Sequence, residues 1–286
     1  IVDASEATGN ISVTASNDIH DLRGGSGNDT FIYGANLTAA DVNDGSDGTD
    51  TVSMTATAAV TGSIYSLVDV ETFQLTTGAD GIDPVLNAAG MPSSITTIRF
   101  DENTDAGNSG DETFTVNNLA AGVEVTFAQT VDDRDAGGTL TVNLADASGT
   151  SDHLTINILG GATDTAANNT LGAIAISNIE QLTVTSGTDS TVALGAADDN
   201  TVSTLTSDAT LGTINFSGSD PLIFTVGATA SAMTTVNASG MTDTLGLTMS
   251  NTGAATATDI TGGSANDTFT MTTGFRNVDS INGGAG

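Results

Sequence analysis

The residues best suited to chemistry in this sequence are aspartates that follow glycines at a fixed interval. Gly24-Gly25-Ser26-Gly27-Asn28-Asp29-Thr30-Phe31 and Gly262-Gly263-Ser264-Ala265-Asn266-Asp267-Thr268-Phe269 are nearly the same eight letters, near opposite ends of a 286-residue chain. Each has a follower. Asp50-Thr51-Val52 comes 21 residues after Asp29-Thr30-Phe31, and Gly283 comes 21 residues after Gly262. A carboxylate next to glycine backbone offers hard oxygen donors, because glycine lets a turn aim several carbonyls at one point. Such a group of oxygens suits a hard cation. The competing reading is a plain turn whose Asp caps its own backbone. One such turn is only half a site, so the 21-residue pairing matters most: it stacks one glycine turn on another.

Other chemistry lacks its residues. The two histidines, His20 and His153, stand in no zinc spacing, and cysteine is absent. No Gly-x-Ser-x-Gly elbow occurs, and a chain without lysine has no Walker loop. His20 reads as a surface residue. The Asp132-Asp133 and Asp198-Asp199 pairs read as solvated loop charge, and the Asn-Asp-Thr sequons at Asn28 and Asn266 as accidents of the turn. An enzyme is not expected.

The elements that position these turns follow from composition and period. Aromatics are 4%, glycines 34 and prolines 3, with Thr, Val, Ile and Leu abundant, a bias toward short strands and tight turns. Asp and Glu total 35 against four Arg, a formal net charge of −31. Nucleic acid and anionic membrane surfaces are thereby disfavoured as partners, and no apolar run is long enough to cross a bilayer as a helix. Two accounts of the acidity stay open: halophilic surface charge, or folding around bound cations. Leu22 to Val42 is a step of 20 and Asp29 to Asp50 a step of 21, which predicts one inserted residue. An apolar repeat fills the intervals (Leu67/Val70, Ile95/Ile98, Ile176/Ile179, Leu211/Ile214, Met233/Val236, Phe275/Val278), with Val236 to Val278 read as two steps of 21. A period of ~20–22 residues built from strands and glycine turns predicts a solenoid, whose coils must stack to bury an apolar face. The expected fold is all-β, an elongated parallel β-solenoid or β-roll. Residues 1–56 form its first glycine-aspartate turns, 57–240 a degenerate Thr/Ala/Gly-rich stretch and 241–286 a second turn segment, all in one continuous body.

The two octapeptides resemble the Gly-Gly-x-Gly-x-Asp-x-apolar-x nonapeptide of RTX proteins, the calcium-binding parallel β-roll family. Gly78 to Val85 ("GADGIDPV") and Gly107 to Phe114 ("GNSGDETF") keep much of the pattern, and Ala238 to Leu245 ("ASGMTDTL") is a weaker relative. The good matches cover some fifty residues at the two ends; the remainder is similar in style to RTX-type bacterial surface-layer proteins and large adhesins. The resemblance implies Ca²⁺ ligated by Asp29 with Asp50, and by Asp267 with a partner beyond Gly286. Carbonyls of Gly24, Ser26, Gly45, Asp47, Gly262 and Ser264 would assist. Asp21, Asp41 and Asp259 are secondary candidates, and Asp83, Glu112 and Asp243 lie in isolated motifs. The implied role is structural: a secreted, extracellular surface-layer protein that self-associates into a lattice and touches cell-surface polysaccharide. The alternatives are an adhesin or biofilm-matrix protein on the same scaffold, and the calcium-binding tail of a secreted enzyme.

Overall fold

The structure, a computed structural model, describes residues 1–57, 59–77, 82–102, 113–129, 138–160, 170–188, 200–227, 230, 232–242, 246–251, 258–271 and 277–286. Runs in which Thr, Ser or Asn alternate with Val, Ile, Leu or Phe form strands, with the apolar set inward. Every strand pairing among the described residues is parallel. Parallel neighbours cannot be joined by a hairpin; here the connection is a strand on the opposite wall, so the chain winds in coils.

Among the described residues three sheets form the walls. A four-stranded N-terminal sheet runs from Val2–Asp3 to Ser66–Val68, and a twelve-stranded long sheet from Ser12–Thr14 to Ser280–Asn282. A nine-stranded C-terminal sheet runs from Ala59–Thr61 to Thr268–Met271. The chain first alternates between the N-terminal and long sheets. It then visits all three, through Val42–Asp44, Thr51–Thr55 and Ala59–Thr61 and again through Ser66–Val68, Thr72–Thr77 and Val85–Asn87. From Thr97–Glu102 onward it alternates between the long and C-terminal sheets. The fold is an all-β parallel solenoid, and its long sheet passes unbroken through positions 56/57 and 240/241.

The core is a set of columns along the stacking direction. Phe31, Val52, Phe73, Ile98, Val125, Ile156, Val184 and Phe216 follow one another in register on the long sheet, all buried. On the facing wall Val60, Leu86, Val116, Val142 and Ile176 form the matching column. A single coil has no second layer to bury such a face, so stability comes from neighbours.

The structure departs from the sequence expectation in three places, two of register and one of burial. Leu22 pairs with Asn43, and Asp21 with Val42, so the first coils keep a uniform step of 21 with no inserted residue. Val42 consequently faces outward, and Asn43 takes the inward position between Leu22 and Leu67. Buried polar groups need partners. Asn43 Oδ1 accepts from the Tyr33 hydroxyl at 2.8 Å, and its amide donates to the Ser66 carbonyl at 3.3 Å. At the other end Val236 pairs with Ile260, and Ile260 with Ile281; Val278, expected two steps beyond Val236, is 58% exposed. His20, expected at the surface, is partly buried: its ring stands edge-on to Tyr33, with Nδ1 3.7 Å from Asp41 Oδ1.

Asn43→Leu adds apolar surface to the column but strips the Tyr33 hydroxyl of its acceptor, and is expected to destabilise by about 1–3 kcal/mol. Adding Tyr33→Phe should recover most of that loss, a coupling that a double-mutant cycle in urea reads directly. Additive losses would show that the buried Tyr33–Asn43 bond contributes nothing.

Candidate functional site

A corner of the solenoid must satisfy backbone groups that have left the sheet ladder, and this chain does so with carboxylates. The turn Gly24–Asp29 leads from the strand Asp21–Arg23 into Thr30–Gly34, and Gly45–Asp50 leads from Val42–Asp44 into Thr51–Thr55. Asp29 and Asp50 close these turns and are both buried, at 1% and 0% exposure. The Ile11 N–H donates to Asp29 Oδ1 at 2.8 Å, the Asp29 N–H to Asp50 Oδ1 at 2.6 Å, and the Asp50 N–H to Glu71 Oε2 at 2.7 Å. The structure thus brings Asp29 and Asp50 together in one ladder and adds Glu71. Sequence reasoning missed Glu71 because no glycine motif precedes it; its 21-residue step from Asp50 was the available signal.

The glycines at the first motif position are required by close approach. A Cβ on Gly24 would strike Asp29 Oδ2 and come within 2.6 Å of the Gly45 carbonyl oxygen, and one on Gly262 would strike Asp267 Oδ2 and come within 2.6 Å of the Gly283 carbonyl. A Cβ on Gly45 would likewise strike Asp50 Oδ2 and the Asp69 carbonyl. In each turn, therefore, a carboxylate oxygen and a carbonyl of the following coil share the space over one glycine Cα. Asp267 repeats the bonding of Asp29. Its Oδ1 accepts from the Leu247 N–H at 2.9 Å and its Oδ2 from the Gly263 N–H at 2.7 Å, as Asp29 Oδ2 accepts from Gly25 at 2.8 Å.

The twin motifs nevertheless feed different walls. The first turn enters the long sheet, whereas Gly262–Asp267 leaves the long-sheet strand Asp259–Thr261 and enters Thr268–Met271 of the C-terminal sheet. Phe31 and Phe269 both face the interior, from different sheets, and Phe269 is the less deeply buried.

Asp50 breaks the bonding pattern. Ser46 occupies the place of Gly25, with φ +69°, and its N–H turns to Asp44 Oδ1 at 3.2 Å. Asp50 Oδ2 is left buried without a hydrogen-bond partner. Burial pushes the Asp50 carboxyl up to about 6; the Asp29 N–H works against this, and the charges of Asp29, Glu71 and Asp44 add to it.

The other candidates are placed as follows. Ser26 and Asp47 are exposed, with their N–H groups on the Ala7 and Gly25 carbonyls, and Ser264 is held through N and Oγ to the Met241 carbonyl. Asp21 is tied to Arg23 at 3.1 Å, which lowers its pKa. Asp41 is buried; desolvation raises its pKa, but hydrogen bonds from His20 N and from Thr38 N and Oγ1 outweigh that and hold it down. Asp259 is exposed and accepts from Ser280 Oγ at 2.6 Å; Asp83 is exposed and accepts from the Thr113 N–H at 2.7 Å. Asp21, Asp41 and Asp83 are thus engaged elsewhere than the stacked turns. Glu112 and Asp243 lie outside the described residues, as do the Asp132-Asp133 and Asp198-Asp199 pairs. Among the described residues no three carboxylate or imidazole groups converge on one point, so a cation here would draw on backbone carbonyls as well. The donor set, all oxygen with one orphaned buried carboxylate atom, fits calcium.

Comparison with protein-family models, with curated proteins and with solved structures finds no match to this chain.

In chelator, the raised Asp50 pKa gives a pH dependence of definite sign. The folded carboxyl titrates near 6 against 3.8 unfolded, so between those values the folded state holds the extra proton. Stability therefore falls as pH rises from 4 to 6, by on the order of 3 kcal/mol from this group. Asp50→Asn keeps the acceptor for Asp29 N–H and sets an amide beside the Asp69 carbonyl. In EDTA at pH 7 the variant should keep more of the β signal in circular dichroism than wild type, with the gap closing toward pH 4. Equal signal at both pH values would show that Asp50 carries no unfavourable charge.

Proposed function

We propose that this chain is a structural extracellular protein, a calcium-stabilised β-solenoid of the RTX type that assembles into a bacterial surface layer. The observation that carries the reading is the pair of buried, stacked carboxylates Asp29 and Asp50 in glycine turns one coil apart, one of them with an unpartnered oxygen. A buried carboxylate beside other carboxylates is costly unless a cation neutralises it. Asp267 supplies the same turn at the far end, with the Gly283 carbonyl over Gly262. Asp29, Asp50 and Asp267 would hold the ions together with turn carbonyls, and the ions would clamp successive coils.

The charge gives the mechanism its direction. At cytosolic calcium the acids repel one another and the sites are empty, which favours an unfolded, exportable chain. Extracellular modules bind calcium with Kd of about 10⁻⁴–10⁻³ M, so release into millimolar calcium fills the sites. Binding to the folded state alone then pulls folding forward. A secreted solenoid stabilised in this way is a natural tile for a lattice. The adhesin reading is favoured by one feature, an apolar cavity of about 510 Å³ on one edge, lined by Met91, Pro92, Ile95, Leu119 and Val123 among others.

Circular dichroism in EGTA should show loss of the β spectrum and its return with calcium; an unchanged spectrum would refute coupled folding, and rescue by NaCl alone would assign the acidity to halophily. Negative-stain images should show ordered sheets only with calcium, whereas soluble monomers that bind a polysaccharide would favour adhesion.

A further inference from the structure

The ladder does not stop where the glycine motif stops. We infer that a further cation site lies one coil beyond the motif pair, built by Asp50 Oδ2, the Asp69 carbonyl and the Glu71 carboxylate. The inference deepens the calcium reading and rests on it, but it assigns an ion to a turn, Asp69-Val70-Glu71, that contains no glycine.

Three observations point to it. The first is the orphaned oxygen. Asp29 Oδ2 and Asp267 Oδ2 each accept an N–H from their own turn, from Gly25 and Gly263. In the Asp50 turn the corresponding N–H belongs to Ser46 and is bound to Asp44, so Asp50 Oδ2 has no donor although Asp50 is fully buried. A buried carboxylate oxygen without a donor calls for another source of positive charge.

The second is where that oxygen sits. It shares the space over the Gly45 Cα with the Asp69 carbonyl, just as Asp29 Oδ2 shares the space over Gly24 with the Gly45 carbonyl. Asp69 therefore plays, toward Gly45, the part that Gly45 plays toward Gly24. It does so at φ +47°, a left-handed backbone uncommon for a residue with a side chain. The short turn thus places a carbonyl over Gly45 as the glycine turn places one over Gly24, but through a left-handed Asp69, a conformation that Gly45 itself does not adopt.

The third is Glu71. It stands 21 residues after Asp50, as Asp50 stands after Asp29, and its Oε2 already accepts the Asp50 N–H at 2.7 Å. The longer side chain of Glu lets a three-residue turn reach the coil before it, where a six-residue turn does the same with Asp. The outer neighbour also fits an ending: after Glu71 the next coil offers Thr96 and Thr97, whose N–H groups go to the Glu71 carbonyl. The acid row closes there, because the Glu71 N–H goes to the Asp50 carbonyl at 3.2 Å and not to a carboxylate of the next coil.

Counting bound calcium by equilibrium dialysis with radiolabelled ion, on the full chain, tests this. Glu71→Gln keeps an oxygen for the Asp50 N–H and removes only the charge. It should bind one ion fewer than wild type, or hold one ion at least roughly tenfold more weakly, while Glu6→Gln, an exposed control, binds as wild type. Glu71→Asp, which retains the charge on a shorter arm, should fall between, and it keeps the test usable if the Gln variant does not fold. Wild-type binding in both Glu71 variants would overturn this site while leaving calcium at Asp29 and Asp267 standing. A wild-type chain that binds no calcium at all would overturn both.

Discussion

The hydrogen bond from a backbone N–H of one coil to a carboxylate of the next is the interaction on which the rest of this structure depends. At or just before the start of a strand, a backbone N–H has left the ladder and needs an acceptor from the neighbouring coil. Asp29, Asp50 and Glu71 supply it at the N-terminal corner, Asp267 does so near the other end, and Glu180, Asp208 and Asp279 accept from Asp152, Asn178 and Thr258 in the same manner. Each such bond fixes the offset between coils to the residue. With the offset fixed, inward positions fall on inward positions, and columns such as Phe31 to Phe216 run unbroken.

The same device creates the chain's electrostatic problem. Acceptors that are ionised acids, stacked one coil apart and out of water, repel one another. Asp29 and Asp267 are relieved by two N–H donors each. Asp50 has one, and burial, with the charges of Asp29, Glu71 and Asp44, raises its pKa. A divalent cation at Asp50 would resolve the conflict without disturbing the ladder, because it would use the one oxygen that the N–H groups leave free. Structure and charge are thus coupled at the corners, and the walls merely propagate the register that the corners set.

Polar residues inside the first coils serve the same end. Asn43 interrupts an apolar column, yet it is held from both sides by Tyr33 and the Ser66 carbonyl. His20 and Asp41 lie beside the same tyrosine, with Asp41 bound to Thr38 and to the His20 N–H. A slip by one residue would bury Val42 and expose Asn43, which hydrophobicity alone would welcome. The hydrogen bonds forbid it, and they keep the Asp29–Asp50 stack in step.

The solenoid class was legible because β-rich composition, glycine punctuation and a near-constant period are properties of one coil that every coil repeats. Asp29 and Asp50 were legible for the same reason: a 21-residue interval is a local count. Glu71 stands at the same interval from Asp50, but its turn carries none of the glycines that mark the others, so no motif in the sequence singled it out from the surrounding acids. Nor could the sequence assign the two octapeptides to different walls. A turn is determined by its own few residues, whereas the sheet it feeds depends on how many strands precede it in the coil, and that changes where Ala59–Thr61 joins the C-terminal sheet and Ser66–Val68 closes the N-terminal one. The choice between Val42 and Asn43 for the interior likewise waited on the fold, because it is made by partners 10 and 23 residues away from Asn43. Short-range chemistry wrote the turns; the stacking of distant coils decided what each turn meets.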